Sequence, residues 1–178
     1  MTHKHVLIAL FSAALLVPLA SWADHDDDDD EEGAHEGGRG DRGAKVSMTT
    51  PQWKQYAAEC GTCHMAYPPA MLPARSWTAL LGGLSDHFGQ SAEVDAATQK
   101  QLGAFLTASA GRDVSGPTPL RITGLSWWRR EHDEVGAQVY KRKAILTPAN
   151  CVACHPGANE GAFGEHQVKI PRDAPAPR

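Results

Sequence analysis

Apolar and polar positions change their spacing several times along this chain, and each change marks an element. An uninterrupted apolar run from Val6 to Leu19 follows Lys4 and ends at Ser21-Trp22-Ala23, with small residues at the −3 and −1 positions. That pattern is a secretory signal over residues 1–23, cleaved after Ala23. Helical spacing next appears at Trp53, Tyr56 and Ala57, behind Thr50 as N-cap and Pro51 in the first turn, and predicts a helix running to Cys60. Pro68, Pro69 and Pro73 then predict an extended loop. Ser76 is positioned to cap a helix through Trp77, Leu80, Leu81 and Leu84, stopped by Gly82-Gly83 or by the turn at Asp86 to Gly89. Behind an Asp95 cap, Leu102, Phe105, Leu106 and Ser109 follow the i, i+3, i+4, i+7 pattern of an amphipathic helix.

The segment from Gly111 to Pro119 is rich in Gly, Ser and Pro and reads as a boundary between two lobes, 49–115 and 116–178. In the second lobe, Leu125 to Glu134 predicts a helix carrying Trp127, Trp128 and His132. A further stretch holds Val139, Tyr140 and Ile145. Beyond Gly157 the pattern is turn and coil, anchored by Phe163, Val168 and Ile170. No alternating strand pattern is evident, so the fold class is mainly α.

Composition narrows the picture. Of 178 residues, 42% are hydrophobic and 21% charged, which places the chain in the globular range. Removing the signal leaves 155 residues without a second apolar stretch of the roughly 20 residues a membrane span needs, so no stable membrane insertion is expected. The net charge of −4 hides an asymmetry. From Asp24 to Ala44 ten acids face two arginines, and with the glycines that follow, residues 24–48 read as an acidic disordered tail. His25 and His35 lie among those carboxylates, ligand types that permit loose divalent-ion binding without fixing a geometry. From Lys45 onward, 14 basic residues face 11 acids. No basic stripe of a nucleic-acid binder is present.

The chemistry lies in the four cysteines. They form two matching units, Cys60-Gly61-Thr62-Cys63-His64 and Cys151-Val152-Ala153-Cys154-His155. The pattern Cys-x-x-Cys-His marks covalent haem attachment, two thiols binding the vinyl groups and the adjoining histidine, here His64 or His155, coordinating iron. A disulfide pair would leave the repeated histidine unexplained. A zinc ribbon would separate its pairs by roughly 15 to 20 residues, whereas 87 residues lie between Cys63 and Cys151. A thioredoxin-like motif would need a strand-helix setting. Two haem c groups would also supply the apolar bulk that lobes this small lack.

The sixth ligand of each iron decides between closed electron-transfer sites and open ones. In the first lobe His87 is favoured over Met71, which lies in the proline loop only seven residues after His64. In the second, His132 is favoured over His166, because Trp128 at i−4 would wall the same side while His166 sits in a solvated coil. Both haems are then bis-histidinyl.

Further stretches add to the paired units: Trp77-Thr78-Ala79-Leu80-Leu81, Asp86-His87-Phe88-Gly89, Arg121-Ile122-Thr123, Arg130-Glu131-His132, Asn150 before Cys151, Gly161-Ala162-Phe163 and Ile170-Pro171. Together they resemble the dihaem cytochrome c family of small exported electron-transfer proteins, over residues 49 to 171. The resemblance implies an N-terminal helical lobe like class I cytochrome c and a smaller, less regular C-terminal haem lobe. It also implies bis-histidine ligation and a periplasmic redox partner, an oxygen-binding monohaem cytochrome or a membrane cytochrome b. The rival reading is a small dihaem enzyme, of peroxidase or nitrogen-oxide reductase type, with one open iron. Arg129, Arg130, Lys141, Arg142 and Lys143 form a basic cluster that could face an acidic partner.

Overall fold

Four helices carry the architecture of the computed structural model, which describes residues 46–172. The signal segment, nearly all of the acidic tail and its two histidines lie outside the described residues. Among the described residues no β-strand forms, and the pairing that exists consists of single bridges, Pro73 with Gly111 and His87 with Gln90. The mainly α expectation holds.

Helix α1 spans Pro51–Cys60. Thr50 stays extended and its hydroxyl accepts the Trp53 N–H at 3.2 Å, so one orphan donor of the first turn is satisfied. Helix α3 spans Ala96–Ala108 behind Asp95, whose carboxylate accepts the N–H groups of Ala97 and Thr98 and the Thr98 hydroxyl. Both caps stand where the sequence puts them. Helix α2 spans Ala74–Gly82 and ends at the predicted glycine pair, leaving Leu84 in the turn beyond. Its start differs from expectation. Pro73 occupies the cap position in extended conformation, and its carbonyl takes the N–H groups of Ser76 and Trp77. Ser76 therefore lies inside the helix, fully buried, with an unpartnered hydroxyl. The proline loop likewise contains a single 3-10 turn, Pro69–Met71, whose first carbonyl is held by the Trp77 indole N–H at 2.8 Å.

Helix α4, Ser126–Glu131, is shorter than the predicted Leu125–Glu134. The His132 ring explains the stop. Its Nδ1 lies 2.9 Å from the Trp128 carbonyl oxygen, the acceptor that the His132 backbone N–H would need to continue the helix. Beyond α4 the chain runs through isolated 3-10 turns, among them Val139–Lys141, Cys151–Ala153, Ala158–Glu160 and Glu165–Gln167. Phe163 and Val168 are half-buried, but Ile170 is exposed and anchors nothing.

The core joins α1, α2 and α3. Leu102 and Leu106, one turn apart on α3, are each 1% exposed and meet Trp53 and Tyr56 of α1 and Trp77 and Leu81 of α2. Tyr56 packs edge-on against both Trp53 and Trp77. Ile122 and Leu125, from the turn before α4, belong to the same cluster, and Val46 and Met48 already pack against it. The glycine- and proline-rich connection is held down by one side chain. Arg75 donates from Nε to Asp113 at 2.6 Å, from Nη1 to the Gly116 carbonyl and the Thr118 hydroxyl, and from Nη2 to the Val114 carbonyl. Gly111 must be glycine here, because a Cβ would collide with the Ala70 carbonyl oxygen.

Candidate functional site

Helix α1 delivers the first cysteine unit. Cys60 is its last residue, and Gly61 closes the helix by donating its N–H to the Ala57 carbonyl at 2.9 Å. A side chain at Gly61 would strike that same oxygen, so the turn separating Cys60 from Cys63 needs a glycine. The second unit begins in the 3-10 turn Cys151–Ala153, and His155 follows through its N–H to the Cys151 carbonyl at 2.8 Å. None of the four cysteines is in a disulfide, so all four are available for thioether attachment. Burial pushes the thiols of Cys60, Cys151 and Cys154 above their ordinary range.

Four imidazoles meet in two pairs. His64 faces His87 with ring centres 6.3 Å apart and planes 29° from parallel. His132 faces His155 at 6.1 Å with planes 73° apart. An imidazole bound through nitrogen holds its ring centre about 3 Å from a first-row metal, so two such rings on opposite sides of one metal are separated by about 6 Å. Both pairs have that spacing.

Protonation agrees with it. The Nδ1 of His64 lies 2.7 Å from the Met65 carbonyl oxygen, and the Nδ1 of His132 contacts Trp128 O. A carbonyl only accepts, so each Nδ1 carries the proton and each Nε2 keeps a free lone pair. His87 is shifted toward its neutral form, first by burial and then by the nearby charges of His64 and Arg121. His155 is shifted the same way by burial and by His132. Neutral imidazole is the ligating form. The buried Nδ1 of His155 has no protein partner, so its tautomer is not set by a protein hydrogen bond.

Aromatic rings close around the pairs. Tyr67 stacks on His64 at 4.8 Å, Phe88 meets His87 edge-on at 4.9 Å, and Phe163 leans on His155 at 5.4 Å. Trp128 stacks on His132 at 4.2 Å, the wall anticipated from its i−4 position, and Tyr140 lies 6.0 Å beyond it. Phe88 adopts a left-handed φ of 57°, strained for an aromatic residue, with the Arg121 guanidinium 4.0 Å above its ring. The sequence pattern assigns no site role to Tyr67, Phe88 or Arg121, although Phe88 and Arg121 lie in stretches that carry the family resemblance. Tyr67 lies three residues after the motif histidine His64 and Phe88 directly after His87, a proximity that could have flagged them. Arg121, 34 residues from His87, has no such local signal and is marked only by the stretch Arg121-Ile122-Thr123 that carries the resemblance.

The rejected alternatives are placed elsewhere. Met71 packs on the core from its 3-10 turn, and His166 is exposed. Within the basic cluster, Arg129 and Arg142 have structural employment, donating to the carbonyls of Gly124 and Pro171.

Residues 56–163 match the family model described as dihaem cytochrome c. The chain belongs to the dihaem cytochrome c family. Solved dihaem cytochromes superpose on it. The diheme cytochrome type c of Shewanella baltica OS155 is 34% identical, with a TM-score of 0.63 over 70% of this chain and 97% of that one. Two structures from Rhodobacter sphaeroides, one of DHC purified from that organism and one described as a diheme cytochrome c, are 48% and 42% identical. They cover 66% and 67% of this chain and all of their own, with TM-scores of 0.57 and 0.58. No curated protein matches significantly. As a dihaem cytochrome c, the chain carries two covalently bound c-type haems as cofactors. Among its described residues, no helix is long and apolar enough to cross a membrane.

Proposed function

We propose that this dihaem cytochrome is a periplasmic electron carrier, not an enzyme, with two closed, bis-histidine iron sites. Cys60 and Cys63 hold one haem and Cys151 and Cys154 the other. His64 and His155 are the proximal ligands, and His87 and His132 the distal ones. The observation that carries the reading is the pair of imidazole separations, 6.3 and 6.1 Å. When bound, each haem supplies a one-electron couple, and two histidine ligands set its potential below that of a His/Met site. The protein's part is to hold and orient. The Met65 and Trp128 carbonyls fix the ring tautomers of His64 and His132, while Tyr67, Phe88, Trp128 and Phe163 pack against the imidazoles and limit their rotation.

The apolar run from Val6 to Leu19 with its cleavage signature supports export. The first haem belongs to the lobe 49–115 and the second to 116–178. The partner is a redox protein, an oxygen-binding monohaem cytochrome or a membrane cytochrome b, approached through the exposed basic residues around Arg130 and Lys141. No observation favours an open iron, because each cysteine unit has a second imidazole opposite its own.

The test is ligand deletion. Replacing His87 or His132 with alanine should convert one haem of the ferric protein to high spin and leave the other low spin. An unchanged spectrum in either variant would remove that histidine from the ligand set.

A further inference from the structure

The two cysteine units are 87 residues apart in sequence, yet one side chain touches both neighbourhoods. The Tyr67 ring stacks on His64 with planes 28° apart. Its hydroxyl donates to the Ala149 carbonyl at 2.8 Å, two residues before Cys151. That same carbonyl accepts the Cys151 N–H at 3.0 Å. The Tyr67 carbonyl in turn accepts the hydroxyl of Tyr56 at 3.0 Å, and Tyr56 is buried among Trp53, Trp77 and Phe105. Tyr67 is thus fixed at three points, to the helical core by its backbone, to the first imidazole pair by its ring, and to the second cysteine turn by its hydroxyl.

We propose that Tyr67 is the positioning residue that sets the second haem site against the first. Among the described residues, the other hydrogen bonds of the segment just before Cys151 are local. Asn150 reaches back to the Ile145 carbonyl at 3.0 Å, and Ala149 to the Thr147 hydroxyl at 3.3 Å, both within the same loop. Among the described residues, the Tyr67 hydroxyl ties this loop to the first site. Internal electron exchange depends steeply on the relative placement of donor and acceptor, and Tyr67 governs that placement. Tyr67 is itself neither oxidised nor reduced; one electron lost at one site is gained at the other.

The inference rests on the two-haem carrier reading, and its test separates the two. The full-length holoprotein is compared with Tyr67→Phe, which keeps the ring stack and deletes the bridge, and with Leu102→Ala, which loosens the helical core and keeps the bridge. Tyr67→Phe should retain the wild-type haem spectra and speed amide hydrogen exchange over residues 147–154. It should also slow internal electron exchange by about two- to tenfold, the range in population that loss of one hydrogen bond produces. Leu102→Ala should lower the melting temperature and leave the internal rate unchanged. A wild-type rate in Tyr67→Phe, or equal slowing in both variants, overturns the proposal. A high-spin haem in the wild-type protein would instead contradict the bis-histidine reading, and the rate comparison between the proteins would still decide the role of Tyr67.

Discussion

The indole of Trp128 lies flat against the imidazole of His132, centres 4.2 Å apart and planes 16° from parallel, while the Trp128 carbonyl accepts the His132 Nδ1 proton at 2.9 Å. One residue thereby fixes both the plane and the tautomer of its neighbour one turn on. The same bond ends α4, so the helix stops where the ring must swing into the site. Trp128→Ala keeps the carbonyl and loses the wall. The second haem of this variant should bind added imidazole or cyanide more readily than in the wild type, while the first haem responds as before. Spectral ligand titration measures both.

Arg121 puts a positive charge beside the first site through its contact with the Phe88 ring, which itself touches His87. A nearby cation disfavours the more positively charged ferric state. Arg121→Gln should therefore lower the potential of the first haem, by on the order of tens of millivolts for a partly screened charge, and leave the second nearly unchanged. Potentiometric titration of the two couples checks the sign and the site.

Leu102 is 1% exposed at the junction of α1, α2 and α3. Leu102→Ala should cost about 2–5 kcal/mol, the range for truncation of a fully buried leucine. Chemical denaturation followed by circular dichroism gives the value. Both haem spectra should be retained in the native baseline, because Leu102 touches neither imidazole pair.

Asp95 caps α3 by accepting three hydrogen bonds, and the Thr98 hydroxyl is the main cause holding its carboxyl below the usual value of 3.8. A carboxyl depressed in the folded state stabilises the fold above its ordinary pKa and loses that contribution as pH falls through the depressed one. Asp95→Asn should therefore melt below the wild type at neutral pH by a margin that narrows in acid. Melting temperatures at pH 7 and pH 3 test the trend, and a constant margin would contradict it.

Much of this was legible in the chain because it is local. The caps at Thr50 and Asp95, the glycine stop of α2 and the Trp128–His132 pairing depend on residues within four positions of each other. The two Cys-x-x-Cys-His units are local as well, and they led to the family and its cofactors. What the pattern misplaced was decided by groups that periodicity does not weigh. Pro73 displaced Ser76 from the cap because its fixed φ and free carbonyl already begin the helix, and the imidazole of His132 shortened α4 by competing for a backbone acceptor. The long-range ties, Tyr67 to Ala149 and Arg121 to Phe88, join segments 82 and 33 residues apart and have no local signature.

The central claim is that both irons are closed by the pairs His64–His87 and His132–His155. A redox titration of the purified holoprotein, followed by optical and electron paramagnetic resonance spectroscopy together, tests it most directly. Two low-spin bis-histidine ferric signals, each lost in a one-electron step, are predicted. A high-spin ferric component or a methionine-to-iron charge-transfer band in the oxidised protein would contradict the account.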